Sequence, residues 1–219
     1  MTLKPALIFD LDGTLLDSLN GLMHSTNAAL EACGYPARSY TEIRNFVGNG
    51  MRKLIERAVA DGLEDPNFEK CFRLFRADYD ATMLQNTVPY DGILTLLETL
   101  KAEGYPMAVV SNKADTPVRA LCAHFFGDLL PISIGEQEGV ARKPAPDSVF
   151  AALEALGCPR EHAFYIGDSE VDMETARNAG LPCLSVGWGY RDPDFLSARG
   201  ADFIASSTEA LLAEIHQRT

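Results

Sequence analysis

Short apolar runs alternate with amphipathic stretches along most of this chain, and that alternation sharply limits the folds open to it. The runs are Ala6–Asp10, Met107–Ser111, Ile132–Gly135, Ala163–Asp168, Cys183–Gly187 and Asp202–Ala205. Helical patterns lie between and after them, at Gly92–Glu103, Pro117–Phe126, Asp147–Leu156, Val171–Ala179 and Thr208–His216. Three of these helices close on a glycine stop, Gly104, Gly157 or Gly180. Strands alternating with helices predict an α/β fold: a Rossmann-like, doubly wound parallel sheet with helices on both faces.

The rhythm breaks between Ser18 and Met83, where only helical segments can be read. Leu19, Leu22, Met23, Ala29, Leu30 and Cys33 make one apolar stripe ending at Gly34. Ser39-Tyr40-Thr41-Glu42 has capping-box spacing, and Asp65-Pro66 reads as an N-cap followed by proline at the first helical position. A helical block inserted directly after the first strand predicts a small α-helical cap over the active edge of the sheet. The expected division is a core of residues 1–16 and 85–219 and a cap of residues 17–84.

Composition narrows the class further. A net charge of -12 argues against a nucleic acid or an anionic membrane as partner. No segment has the unbroken apolar length of a bilayer span, and the first strand begins without a signal-peptide pattern, so a cytoplasmic protein is expected. Cys33, Cys71, Cys122, Cys158 and Cys183 are scattered and odd in number, which suits reduced thiols. The acidity is uneven: from Arg38 to Arg57 five bases face only Glu42 and Glu56, a local net of +3. That stretch suits either an anionic ligand or a solvated helix face with pairs such as Arg52–Glu56.

In an open parallel sheet, ligands bind beyond the carboxyl ends of the strands. Three runs here end in polar groups: Asp10-Leu11-Asp12-Gly13-Thr14, Ser111-Asn112-Lys113 and Gly167-Asp168. Arg142-Lys143-Pro144-Ala145-Pro146 adds a lysine in a proline-stiffened loop. Asp10, Asp12, Asp168 and Asp172 against Lys143 leave a charge of -3. A divalent cation reduces that deficit, and carboxylate oxygens suit Mg²⁺ better than zinc. A phosphate could then rest on Mg²⁺, Lys143, the Ser111 hydroxyl and backbone amides of the loop holding Gly13.

Four segments carry a resemblance to the haloacid dehalogenase-like superfamily of phosphohydrolases. They are Asp10-Leu11-Asp12-Gly13-Thr14-Leu15, Val110-Ser111-Asn112, Lys143-Pro144-Ala145-Pro146 and Gly167-Asp168-Ser169-Glu170-Val171-Asp172, in the family's order. The resemblance implies that Asp10 attacks phosphorus and forms an aspartyl-phosphate. It implies that Asp12 gives a proton to the leaving alkoxide and later takes one from water. Ser111 and Lys143 complete the catalytic set, with Gly13, Thr14 and Asn112 around the phosphate. The metal set the resemblance implies is Asp10, Asp12 (through its carbonyl), Asp168 and Asp172, the last either a direct ligand or a residue orienting Lys143 or metal-bound water. Asp12 sets the chain apart from the halogen-removing branch. A phosphomutase resembling β-phosphoglucomutase and a pyrophosphatase of the same family are the alternatives.

Val47-Gly48-Asn49-Gly50-Met51-Arg52-Lys53-Leu54 resembles the cap substrate loop of phosphoglycolate phosphatases. Gly48, Asn49, Gly50, Arg52 and Lys53 are the candidate substrate contacts. The same spacing also suits a plain helix–loop–helix turn. With the local basic bias, the expected partner is a small anionic phosphorylated metabolite such as phosphoglycolate, acted on by a monomer or homodimer.

Overall fold

The computed structural model describes residues 4–219. The chain forms two compact units, Met1–Leu16 with Pro89–Thr219, and Asp17–Val88. The chain thus re-enters the first unit at Pro89, where the sequence pattern suggested residue 85.

In the first unit the strands are β1 (Ala6–Phe9), β4 (Met107–Ala114), β5 (Ile132–Glu136), β6 (Ala163–Gly167), β7 (Cys183–Val186) and β8 (Ile204–Ala205). They form one six-stranded sheet of order β5-β4-β1-β6-β7-β8, every pairing parallel. Two short strands not anticipated from the sequence, β2 (Leu16–Asp17) and β3 (Val88–Pro89), pair where the chain passes between the units. Strand order falls away from β1 on both sides, as a doubly wound sheet requires.

The helices of this unit are α5 (Ile93–Ala102), α6 (Asp115–Phe125), α7 (Asp147–Leu156), α8 (Glu170–Ala179), α9 (Pro193–Ala198) and α10 (Thr208–Arg218). Ile8, Ala108, Val110 and Tyr165 face α7 and α8 through Val149, Ala152, Leu153, Ala176 and Ala179. Leu7 and Phe9, of opposite parity on β1, are fully buried too, so neither face of the central strand meets water.

Helix boundaries moved where proline chemistry misled the sequence reading. The expected start at Pro117 lies two residues late, because α6 opens at Asp115 and carries the proline inside its first turn, where a missing N–H costs nothing. The Asp115 carboxylate accepts from Arg119 and from the Gly135 amide, tying that turn to β5. Helix α9 was not expected, although Asp192-Pro193 is a helix-opening dipeptide.

The second unit is helical: α1 (Leu19–Ala32), α2 (Tyr40–Phe46), α3 (Met51–Ala58) and α4 (Phe68–Thr82). Leu19, Leu22, Ala29 and Leu30 are buried on α1 and Phe75 and Tyr79 on α4, the two rings stacked at 5.7 Å. Met23 and Cys33, read as members of the stripe, are half-buried at its margin. The Ser39–Glu42 capping box opens α2. Asp65-Pro66, by contrast, does not open α4, which starts at Phe68. The Asp65 carboxylate is taken by the Tyr35 hydroxyl at 2.5 Å and the Asn67 amide at 2.8 Å.

Candidate active site

The parallel register fixes which strand ends meet. Phe9 pairs with Val109 and with Ile166, so Asp10 and Asp168 leave neighbouring strands one step apart, beside Ser111 on the other flank. All three stand at the carboxyl edge of the sheet.

Lys143 is the hub. Its buried Nζ donates to Asp10 Oδ1 at 2.7 Å, Asp172 Oδ1 at 2.9 Å, the Tyr165 hydroxyl at 3.0 Å and the Val110 carbonyl at 3.3 Å. Burial works against its charge, but Asp10 and Asp172 outweigh it and hold the ammonium well above the usual lysine range. The loop bearing it is pinned from both sides. Asn112 Nδ2 donates to the Lys143 carbonyl at 3.1 Å, and Asn178 Nδ2 to the Pro144 carbonyl at 2.9 Å, across a cis Lys143–Pro144 bond.

Asp172 has its oxygens fully engaged. Oδ1 takes Lys143 and the Tyr165 hydroxyl, while Oδ2 takes the Ser169 hydroxyl at 2.6 Å and the Ser169 amide at 3.1 Å, a reciprocal cap at the start of α8. Asp168 accepts from Thr14 Oγ1 at 3.3 Å and the Tyr190 amide at 2.7 Å. Trp188 donates Nε1 to the Thr14 carbonyl at 3.0 Å. Gly13 lies against Asp168 with φ of +91°; a Cβ there would come within 2.7 Å of the carboxylate, so only glycine lets the loop and the carboxylate share the space.

One oxygen each of Asp10, Asp168 and Asp172 lies within 4.8 Å of the others, and all three residues are buried. Burial and the neighbouring Asp172 push Asp10 up to about 7, Lys143 only partly opposing them. Asp168 is raised well above its usual range by burial, Asp172 and Asp10. Hard carboxylate oxygens gathered at this cost fit a divalent metal ion.

Asp12 stands apart from that cluster. Its carboxylate meets the ammonium of Lys113, whose side chain is only 3% exposed. The -3 balance drawn from the sequence omitted this lysine. Four carboxylates against two buried ammoniums leave -2, which a single divalent ion cancels. Strand β4 continues through Lys113 past a register shift between Val110 and Ala114, and nothing in a hydropathy pattern announces that bulge. Tyr165 was likewise missed, because a tyrosine inside a strand reads as core.

In the helical unit, Gly50 opens α3 with φ of +85°. Arg57 donates to Asn49 Oδ1 at 2.8 Å and to the Phe46 carbonyl at 2.6 Å, so it holds the Gly48-Asn49-Gly50 turn. Arg52 pairs with Glu69, not with Glu56 as its spacing suggested, and stacks on Phe68; Lys53 is the partner of Glu56.

A family model described as haloacid dehalogenase-like hydrolase matches residues 7–186. The chain belongs to the haloacid dehalogenase-like hydrolases. Its similarity to the phosphoglycolate phosphatase of Rhodobacter capsulatus is 40% identity over 86% of this chain and 87% of that protein. A crystal structure from Lactobacillus delbrueckii subsp. bulgaricus superposes with a TM-score of 0.92 at 33% identity, covering 96% of this chain and 98% of that one. CbbY of Rhodobacter sphaeroides, solved in complex with phosphate, superposes at 0.75 and 26% identity, covering 94% and 95%. No helix among the described residues is long and apolar enough to cross a membrane.

Proposed function

We propose that this hydrolase is a Mg²⁺-dependent phosphatase of small phosphate monoesters, phosphoglycolate first among them, acting through a phosphoryl group carried on Asp10. The observation that supports this most is the state of Asp10. Lys143 holds Oδ1, while Oδ2 has no hydrogen-bond partner among the described residues. The carboxylate is therefore oriented on one side and available on the other.

Asp10 and Asp168, with the Asp12 carbonyl, are assigned to hold Mg²⁺, which when bound supplies positive charge against the phosphoryl oxygens. Asp172, committed to Lys143 and Ser169, keeps the ammonium aimed. Lys143, the Ser111 hydroxyl, Asn112 and the Thr14 amide receive the phosphoryl oxygens, while the Gly13 amide donates to the Leu16 carbonyl at 2.9 Å and holds the loop in shape. Asp10 Oδ2 then attacks phosphorus. The ester P–O bond breaks with its electron pair going to the alcohol oxygen, which takes a proton from Asp12. Water next attacks phosphorus and yields a proton to Asp12. The Asp10–phosphorus bond breaks, inorganic phosphate leaves and the carboxylate is restored.

Choice of substrate is assigned to the helical unit, through the Gly48-Asn49-Gly50 turn with Arg52 and Lys53. The relatives named phosphoglycolate phosphatase favour a two-carbon ester bearing a second anionic group. The test is a panel of phosphoglycolate, pyrophosphate and hexose phosphates ranked by kcat/KM with Mg²⁺. Phosphoglycolate should rank first with stoichiometric release of phosphate. A low rank would overturn the substrate, and sugar phosphate interconversion without net release would overturn hydrolysis in favour of a mutase.

A further inference from the structure

Two buried lysines serve the acidic edge, and the proposed chemistry uses only Lys143. The other, Lys113, is nearly inaccessible and pairs with a partly exposed carboxylate, that of Asp12. A lysine is not buried at random. Its ammonium loses hydration that a single ion pair seldom restores, so an enclosed lysine points to a required position.

The surroundings make that position rigid. Lys113 sits where β4 bulges, and its own amide donates to Ser111 Oγ at 3.2 Å. The residue before it, Asn112, anchors the loop of Lys143. One short segment therefore sets the serine hydroxyl, the Lys143 loop and the Asp12 carboxylate together. Asp12 itself lies between Leu11 and Gly13, and its carboxylate is paired with the Lys113 ammonium.

We infer that Lys113 is a positioning residue for proton transfer, holding the Asp12 carboxyl group where it meets the ester oxygen and, later, the attacking water. Resting on the assignment of Asp12 made above, this adds a second lysine to the reaction. Lys143 fixes the attacking group, and Lys113 fixes the proton carrier. Neither lysine gives up a proton: the proton moves from Asp12 to the leaving oxygen in the first half and returns from water in the second.

The test exploits leaving groups. An alkyl alcohol needs a proton as the P–O bond breaks, whereas p-nitrophenolate leaves unaided. In Lys113→Met with Mg²⁺, single-turnover cleavage of phosphoglycolate should fall by about a hundredfold. The burst of p-nitrophenolate from p-nitrophenyl phosphate should fall by less than about fivefold, with slowed turnover after it because water attack still needs Asp12. KM should change little, and Lys113→Arg should recover part of the loss. Lys113→Gln replaces the methionine variant if that variant unfolds.

Equal losses on both esters would overturn the inference, since a merely structural lysine does not distinguish leaving groups. A raised KM with unchanged kcat would also overturn it, making Lys113 a substrate contact. Asp12→Asn, measured alongside, separates the two levels. If it discriminates between the esters and Lys113→Met does not, only the role of Lys113 falls. If Asp12→Asn does not discriminate either, the assignment of Asp12 falls with it.

Discussion

The acidic edge of the α/β unit and the basic turn of the helical unit both present opposite charges in contact, yet they differ in what water does to them. At the edge, Lys143 touches Asp10 and Asp172 with its side chain 3% exposed. In the helical unit, Arg52 and Glu69 meet with side chains 49% and 72% exposed. Coulomb's law is the same in both places, but solvent screens the second pair and leaves the first at nearly full strength. Buried charges therefore dictate geometry, and exposed ones decorate it. This is why a step-by-step mechanism is proposed for the edge and only a choice among substrates for the turn.

The comparison breaks most visibly through Lys143. Replacing it with methionine strands two buried carboxylates, and equilibrium urea unfolding should show a loss of about 3–5 kcal/mol. A loss under about 1 kcal/mol would mean the edge behaves like a surface.

The pH dependence of the metal-free protein gives the next largest effect. Asp10 is raised from 3.8 to about 7, and Asp168 is also raised, both by burial first. The folded state therefore binds more protons than the unfolded chain across that window, so stability falls as pH rises from about 5 to 7. Melting temperatures measured in chelator should decline over this range, and saturating Mg²⁺ should flatten the decline. A metal-free melting temperature that rises over the window contradicts the account.

Arg57 sharpens the other side. Arg57→Met frees the Asn49 turn, so KM for phosphoglycolate should rise about tenfold with kcat within about threefold. An unchanged KM would remove that turn from substrate choice. The smallest effect belongs to the exposed pair: Glu69→Gln should shift unfolding free energy by no more than about 0.5 kcal/mol.

The same contrast explains what could be read from the sequence. Asp10, Ser111 and Asp168 were legible because each ends an apolar run, and a parallel sheet aligns such ends. Lys113 was not, because its placement depends on a bulge between Val110 and Ala114 that leaves no mark on hydrophobic periodicity. The Asp-Pro dipeptides were ambiguous for a related reason. Asp192-Pro193 opens a helix, whereas at Asp65-Pro66 the carboxylate is drawn to Tyr35, a partner thirty positions away. The pairing of Arg52 with Glu69 instead of Glu56 is equally nonlocal. Local rules located the groups, and tertiary partners decided their use.

The central claim is that Asp10 carries the phosphoryl group. Acid quenching within the first turnover of phosphoglycolate, followed by mass spectrometry of the peptide containing Asp10, tests it most directly. The account predicts one phosphoryl group on Asp10, absent from Asp10→Asn; with p-nitrophenyl phosphate, whose leaving group needs no proton, it should accumulate in Asp12→Asn because water attack still needs Asp12. An unmodified Asp10 peptide from protein caught while turning over, or a well-folded Asp10→Asn that still hydrolyses the ester at an appreciable rate, would contradict it.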